Sequence, residues 1–288
     1  MLLNPSSGAK LPPAEIEALE AAAGEAGLEI LRLQPGVDCA AVIRDRMREG
    51  RRLFVAAGGD GTVNAAIQPI VNTDAVLGVI PVGTYNHFAK DLGIPLAWRD
   101  ALAVITGGAT KQIDAARANE RFFVNNISLG LYPDLVAKRE SKGRDYPRWK
   151  ARLFAAWSTL QQFPHIAVTL ESEHHQEVVR THVLMVSNNR YDLSRIGIDA
   201  PRSALAEGRL SVYWLPHVPR VKLMSFIAHF LAGRVHTAPG FRSFQTARLK
   251  LQTRGQHLDA GVDGEVARLS LPLMVTIVPQ SLLVKVPR

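Results

Sequence analysis

Hydrophobic positions in the first 110 residues follow two rhythms. Compact apolar runs at 2–3, 28–33, 53–57 and 76–80 predict short strands, and between them apolar residues recur at helical spacing. The helices expected are 12–26, beginning after proline and ending near Gly27, and 38–49, capped by Asp38 and stopped by Gly50. Another is expected at 62–71, where Val63, Ala66, Ile67 and Ile70 share a face and Pro69 ends or kinks the run. Two more are expected at 85–92, closed by Gly93, and at 100–106. Strands alternating with helices predict an α/β domain, a parallel sheet with helices on both faces.

After residue 110 the rhythm changes. Runs 111–117 and 122–128 predict a hairpin around Asn119-Glu120, and 166–170, 178–186, 210–214, 247–251 and 266–271 predict further short strands. This half is expected to be β-rich and mostly antiparallel, a sandwich, interrupted by amphipathic helices at 146–163 and 221–233. The division expected is 1–110 for the α/β domain and 111–272 for the β-rich one, with the apolar run 273–288 returning to the first. The opening Met1-Leu2-Leu3-Asn4 reads as the end of a strand, so the natural protein is expected to begin a few residues earlier.

Composition narrows the function less than the pattern does. A formal net charge of +8 favours an anionic partner, whether nucleotide phosphate, membrane surface or nucleic acid, without choosing among them. The single cysteine, Cys39, leaves no intrachain disulfide and points to a reducing compartment. No apolar run reaches the roughly 18 residues needed to span a bilayer.

The chemistry lies in two glycine turns. Phe54-Val55-Ala56-Ala57-Gly58-Gly59-Asp60-Gly61-Thr62-Val63-Asn64 runs strand, turn, helix. Glycines let backbone approach a ligand closely, and a helix start presents unpaired N–H groups and a positive dipole end, which suits phosphate. Asp60 repels phosphate unless a cation intervenes, so it engages Mg2+ or orients a neighbour. The plain alternative is a glycine-rich connection. Ile80-Pro81-Val82-Gly83-Thr84-Tyr85-Asn86-His87-Phe88-Ala89 repeats the strand–turn–helix order, so the two turns are expected to face one crevice at the same sheet edge. The first turn has neither the dinucleotide fingerprint nor the Gly-Lys-Ser/Thr of a P-loop.

Asn-Pro-x-Ser-Gly at 4–8, Gly-Gly-Asp-Gly-Thr at 58–62 and Pro-x-Gly-Thr-x-Asn-x-Phe-Ala at 81–89 together resemble the diacylglycerol kinase catalytic-domain family, which includes bacterial lipid kinases and sphingosine kinases. Phe123-Val124-Asn125-Asn126-Ile127-Ser128-Leu129-Gly130, Ala200-Pro201 with Glu207-Gly208-Arg209-Leu210, and Val262-Asp263-Gly264-Glu265 extend the resemblance over nearly the whole chain. It implies an NAD-kinase/phosphofructokinase-like nucleotide domain, a β-rich lipid-side domain, and transfer of the ATP γ-phosphoryl group to a lipid hydroxyl in phospholipid biosynthesis. It implies ATP binding by Asn4, Gly58, Gly59, Asp60, Gly61, Thr62, Val63, Asn64, Gly83, Thr84 and Asn86. Asp263 or Glu265 would be the general base, relatives differing in which carboxylate serves. ATP and Mg2+ are the implied cofactors, with Glu207 in a structural Mg2+ site beside the backbone of Ala204 and Arg209. Two departures stand out. The metal loop carries Ala206-Glu207 where relatives often have two acids, and the stretch Leu31-Arg32-Leu33-Gln34-Pro35 lacks the threonine some relatives place near adenine.

Without the resemblance, Asp263-Gly264 reads as a hairpin turn. Tyr146-Pro147-Arg148-Trp149-Lys150-Ala151-Arg152-Leu153-Phe154-Ala155-Ala156-Trp157 mixes cations with aromatics, which suits an anionic membrane surface or a helix packed on the β domain. The expected partner is a membrane lipid substrate, with the chain cytoplasmic and peripheral at the inner membrane surface. Nucleic acid is not expected, and a homodimer stays open. The competing functions are an NAD kinase, which shares Gly-Gly-Asp-Gly-Thr but differs at the second motif, and a non-catalytic lipid or nucleotide sensor.

Overall fold

A computed structural model of the chain describes residues 1–5, 7, 11–34, 36–130, 165–191, 205–216 and 241–288. The expected helices at 146–163 and 221–233 lie outside them, as does the cation-aromatic segment within the first.

The N-terminal half is an α/β unit. Four parallel strands, β1 (Leu2–Leu3), β2 (Leu31–Arg32), β3 (Leu53–Gly58) and β4 (Val76–Pro81), lie in the order β2-β1-β3-β4. The strand expected at 28–33 shrinks to two exposed residues because it forms the sheet edge, paired on β1 alone. Helices α1 (Pro13–Glu25), α2 (Cys39–Arg48), α3 (Asp60–Ile70), α4 (His87–Asp91) and α5 (Trp98–Gly107) alternate with these strands. Helix α2 packs on α3, and α1 on α5, where the Trp98 indole N–H donates to Glu15 Oε2 at 2.7 Å. Leu19, Ile43, Ile67, Ile70, Leu77 and Ile80 are fully buried between helices and sheet. Burial of each such side chain is worth about 1.5–3 kcal/mol. Pro69 falls one residue before the end of α3 and stops it there.

The C-terminal half is antiparallel. It contains β5 (Ala109–Ala118), β6 (Arg121–Phe123), β7 (Asn126–Gly130), β8 (Ile166–Glu171), β9 (Gln176–Asn188), β10 (Leu210–Pro216), β11 (Arg242–Thr246), β12 (Arg248–Gln252), β13 (His257–Val262), β14 (Glu265–Ser270) and β15 (Leu273–Val286). Strands β11 and β13 carry too many polar residues for the alternation to reveal them. The strand expected at 122–128 is broken into β6 and β7. The N–H groups at the break, those of Val124, Asn125 and Asn126, donate to the Asp263 carboxylate.

Strand β15 belongs to both halves. Residues 273–278 pair with β12 and the end of β5 over the β-domain core, while Leu283 and Val284 run parallel to Val76 and Leu77 of β4. The register shifts between Val278 and Leu282, where Asp114 Oδ1 accepts the Gln280 N–H at 2.8 Å and Ser281 Oγ accepts the Ala115 N–H at 3.2 Å. Leu282 and Val284 join the α/β core, and Leu273, Val275 and Ile277 join the other.

Candidate active site

The two glycine turns end adjacent parallel strands and touch. A Cβ on Gly83 would collide with Gly59 Cα, while one on Gly59 would come within 3.3 Å of Gly83 Cα, a tight fit that needs the second turn to give slightly. Three loops are tied together here. Asn4 Nδ2 donates to Thr62 Oγ1 at 3.1 Å, and the Ser7 hydroxyl donates to the carbonyls of Asn4 (3.0 Å) and Val82 (3.2 Å). Thr62 is buried and leans back on Gly58, where a Cβ would strike its Oγ1. Within the first turn of α3, the Thr62 and Val63 N–H groups donate to the Gly59 carbonyl, while those of Asp60 and Gly61 face out of the helix start.

The predicted residues divide by what they face. Val63 is core. Asp60 caps α4, its Oδ2 accepting the His87 N–H (3.3 Å) and its Oδ1 that of Phe88 (3.2 Å), so it orients the second turn's helix. Asn86, at φ 52°, closes that turn. Its Oδ1 accepts the Gly83 N–H at 3.0 Å and its Nδ2 donates to the Gly83 carbonyl at 2.8 Å. Thr84 is exposed on the turn. Asn64 is buried, and its amide is spent on the other half of the molecule. Nδ2 donates to Asp263 Oδ2 (2.8 Å) and the Phe122 carbonyl (3.2 Å).

Asp263 and Glu265 are two residues apart and do different things. Asp263 and Gly264 form the two-residue turn between β13 and β14, with φ of 49° and 90°, as a type I′ turn requires. The Asp263 side chain is buried, and both its oxygens are filled. Oδ1 accepts the N–H groups of Asn125 (2.8 Å) and Asn126 (3.1 Å), and Oδ2 accepts those of Val124 (3.0 Å) and Asn64 Nδ2. Burial pushes the carboxyl above the ordinary aspartate range, while these four donors pull the other way. Glu265 is exposed and reaches the head of α3, where its Oε1 fills the space a Cβ on Gly61 would need. The third glycine of the turn thus admits a carboxylate from β14. A negative group at a helix start gains about 0.3–1 kcal/mol.

Two residues that pattern did not single out complete the cluster. Arg121, on β6, donates from Nη2 to Asn64 Oδ1 at 3.1 Å and lies 3.4 Å from Glu265 Oε2. The ion pair's side chains are 33% and 55% exposed, so it is worth only about 0–1 kcal/mol. Gln68, one turn after Asn64 on α3, pairs with Phe122 as a strand would. Its Oε1 accepts the Phe122 N–H at 3.0 Å and its Nε2 donates to the Phe122 carbonyl at 2.9 Å.

The expected magnesium loop is described in part. Glu207 Oε2 accepts Gln245 Nε2 at 3.3 Å, the Arg209 carbonyl accepts the Asn189 N–H at 3.0 Å, and Ala204 lies outside the described residues. The nearby Asp114 carboxylate is held by the backbone N–H groups of Gly208 (2.7 Å) and Gln280. Among the described residues no three His, Cys, Asp or Glu side chains gather. Among the same residues no helix is long and apolar enough to cross a membrane.

Known proteins resemble this chain. The family model "Diacylglycerol kinase catalytic domain" matches residues 1–118, and "YegS C-terminal NAD kinase beta sandwich-like domain" matches residues 134–286. The chain belongs to the diacylglycerol kinase catalytic-domain family. It is 26% identical to a diacylglycerol kinase of Mycobacterium tuberculosis over 271 residues, covering 88% of this chain and 86% of that one. It is also 26% identical to a diacylglycerol kinase of Staphylococcus carnosus over 175 residues, covering 59% and 57%. The chain spans 38% and 57% of the length of the first curated relatives it matches. A crystal structure of a diacylglycerol kinase from Bacillus anthracis superposes with a TM-score of 0.75 at 19% identity, covering 99% of this chain and 95% of that one, which shows a shared fold.

Proposed function

We propose that the protein is an ATP-dependent lipid kinase, with a diacylglycerol-like alcohol as acceptor. The observation that carries this reading is the Glu265 carboxylate lying against Gly61, at the head of a helix whose glycine turn abuts a second one. ATP phosphates would lie over Gly58, Gly59, Gly61 and Gly83, with the outward N–H groups of Asp60 and Gly61 as donors. Mg2+ would enter with ATP as part of the substrate. The acceptor's oxygen bonds to the γ-phosphorus, the bridging oxygen leaves on ADP with the bonding electrons, and the hydroxyl proton passes to Glu265. Glu265 takes this role because both oxygens of Asp263 are already filled by four donors. Asp263 instead fixes the hairpin on which Glu265 stands.

A lipid acceptor requires docking at a bilayer from the cytoplasmic side, and the net charge of +8 supports an anionic surface. The C-terminal family description favours one further reading, an NAD-kinase-like enzyme with a soluble acceptor. Incubation with labelled ATP, a lipid panel in mixed micelles and, in parallel, NAD decides between them. Phosphorylated lipid identified by mass supports the proposal. Phosphate on NAD alone, or on nothing, defeats it.

A further inference from the structure

We infer that Arg121 changes partners during turnover. In the nucleotide-free protein it steadies Glu265 at the head of α3, and when a nucleoside triphosphate binds it moves to the terminal phosphoryl group, releasing Glu265 to accept the acceptor's proton. The inference rests on the kinase reading above.

Three observations carry it. First, Glu265 occupies the place an anionic ligand of this helix start would take, since Gly61 alone leaves room for it there. Second, the cation holding it is anchored from the opposite side. Arg121 Nη2 bonds Asn64 Oδ1 at 3.1 Å, and Asn64 is itself fixed by Asp263 and Phe122, so the guanidinium stays at the turn whichever anion it meets. Third, the pair with Glu265 is long at 3.4 Å and half-exposed, and so easily given up. A phosphoryl oxygen offers the same guanidinium shorter, bidentate, charge-assisted bonds. Because Arg121 touches the proton acceptor, the phosphoryl group it meets is the one that moves. Developing charge on that group would strengthen the contact in the transition state.

The exchange predicts opposite effects from its two members. The full-length chain is titrated with AMP-PNP and with ADP, each with Mg2+, by calorimetry. Arg121→Gln should weaken AMP-PNP by about tenfold or more, the weight of one charge-assisted bond, and ADP by less than about twofold. Arg121→Lys should fall between, because ammonium keeps the charge and loses the fork. Glu265→Gln should bind AMP-PNP more tightly than the parent, since the competing anion is gone, and this gain should vanish when Arg121 is also Gln.

Equal weakening of ADP and AMP-PNP by Arg121→Gln overturns the exchange. So does a gain from Glu265→Gln that persists without Arg121, which would mean simple repulsion, and so does the absence of any gain. If Arg121→Gln does not fold, Arg121→Lys and Glu265→Gln, alone and combined, carry the same comparison. A parent chain that binds neither nucleotide sinks the kinase reading and this inference together. A parent that binds AMP-PNP and phosphorylates lipid, with the variants additive, sinks this inference alone.

Discussion

Asn64 Nδ2 and Asp263 Oδ2 are 2.8 Å apart across 199 residues of chain, and this buried bond fastens α3 to the β13–β14 hairpin. Asp263→Asn replaces one of the oxygens with an NH2 group that faces two N–H donors. Leaving such donors without an acceptor should cost about 2–5 kcal/mol in a denaturant melt. Glu265→Gln, on an exposed side chain, should stay within about 0.5 kcal/mol of the parent. The two variants should reverse in activity per folded molecule, Glu265→Gln losing about 10²–10⁴-fold. A stable, fully folded Asp263→Asn would refute the fastening role.

Gly61→Ala is the complementary test of position. Its Cβ meets only the far end of Glu265, a flexible exposed group, so the fold yields cheaply. Alanine also suits a helix better by roughly 0.5–1 kcal/mol. Thermal unfolding should therefore be unchanged or slightly raised, while lipid phosphorylation drops by about two decades or more as the added Cβ crowds phosphates lying over Gly61. Unaltered turnover would mean that the phosphates do not pass over Gly61.

Gly83→Ala should behave differently, because its Cβ meets backbone, the Gly59 Cα, along with Asn86 Oδ1 at 2.8 Å. Neither can swing aside without opening a turn. Overpacking of this kind costs about 1–3 kcal/mol. ATP affinity should fall with stability, and a calorimetric titration showing parental affinity would separate the second turn from the phosphates.

Docking gives the last prediction. Binding to anionic vesicles should weaken as salt rises, and changing Arg148, Lys150 and Arg152 together to Gln should weaken it by about two decades at low salt, at about 1 kcal/mol per charge. The same variant should keep its turnover on a short-chain soluble acceptor. Unchanged vesicle binding would move the docking surface elsewhere.

The parts of this molecule legible in its sequence are those written in local periodicity. Helices α1–α5 and both glycine turns are of this kind, since Val63, Ala66, Ile67 and Ile70 must share a face wherever α3 packs. Asp263-Gly264 was legible twice over, as a hairpin turn and as a motif, and it is a turn whose side chain is buried. What stayed hidden depends on contacts between distant segments. The break after Phe123 follows from a carboxylate 140 residues later in the chain, drawing in the Asn125 and Asn126 N–H groups at 2.8 and 3.1 Å. Gln68 and Arg121 look like solvated polar residues until α3 is laid against β6. Their one sequence signal was Asn64 and Gln68, polar side chains one turn apart on a helix otherwise rich in apolar residues.

Strand β15 gives the chain an order of assembly. Its residues 282–286 are translated after the whole β domain, yet they lie between β4 and β5 in the sheet that carries both glycine turns. While the ribosome is still making residues 119–281, β4 is a sheet edge with open N–H and C=O groups. The α/β half therefore cannot close until residues 282–286 have been made. Residues 1–118 expressed alone would keep that edge open and tend to aggregate. Supplying 273–288 as a separate peptide would be the direct way to cover it.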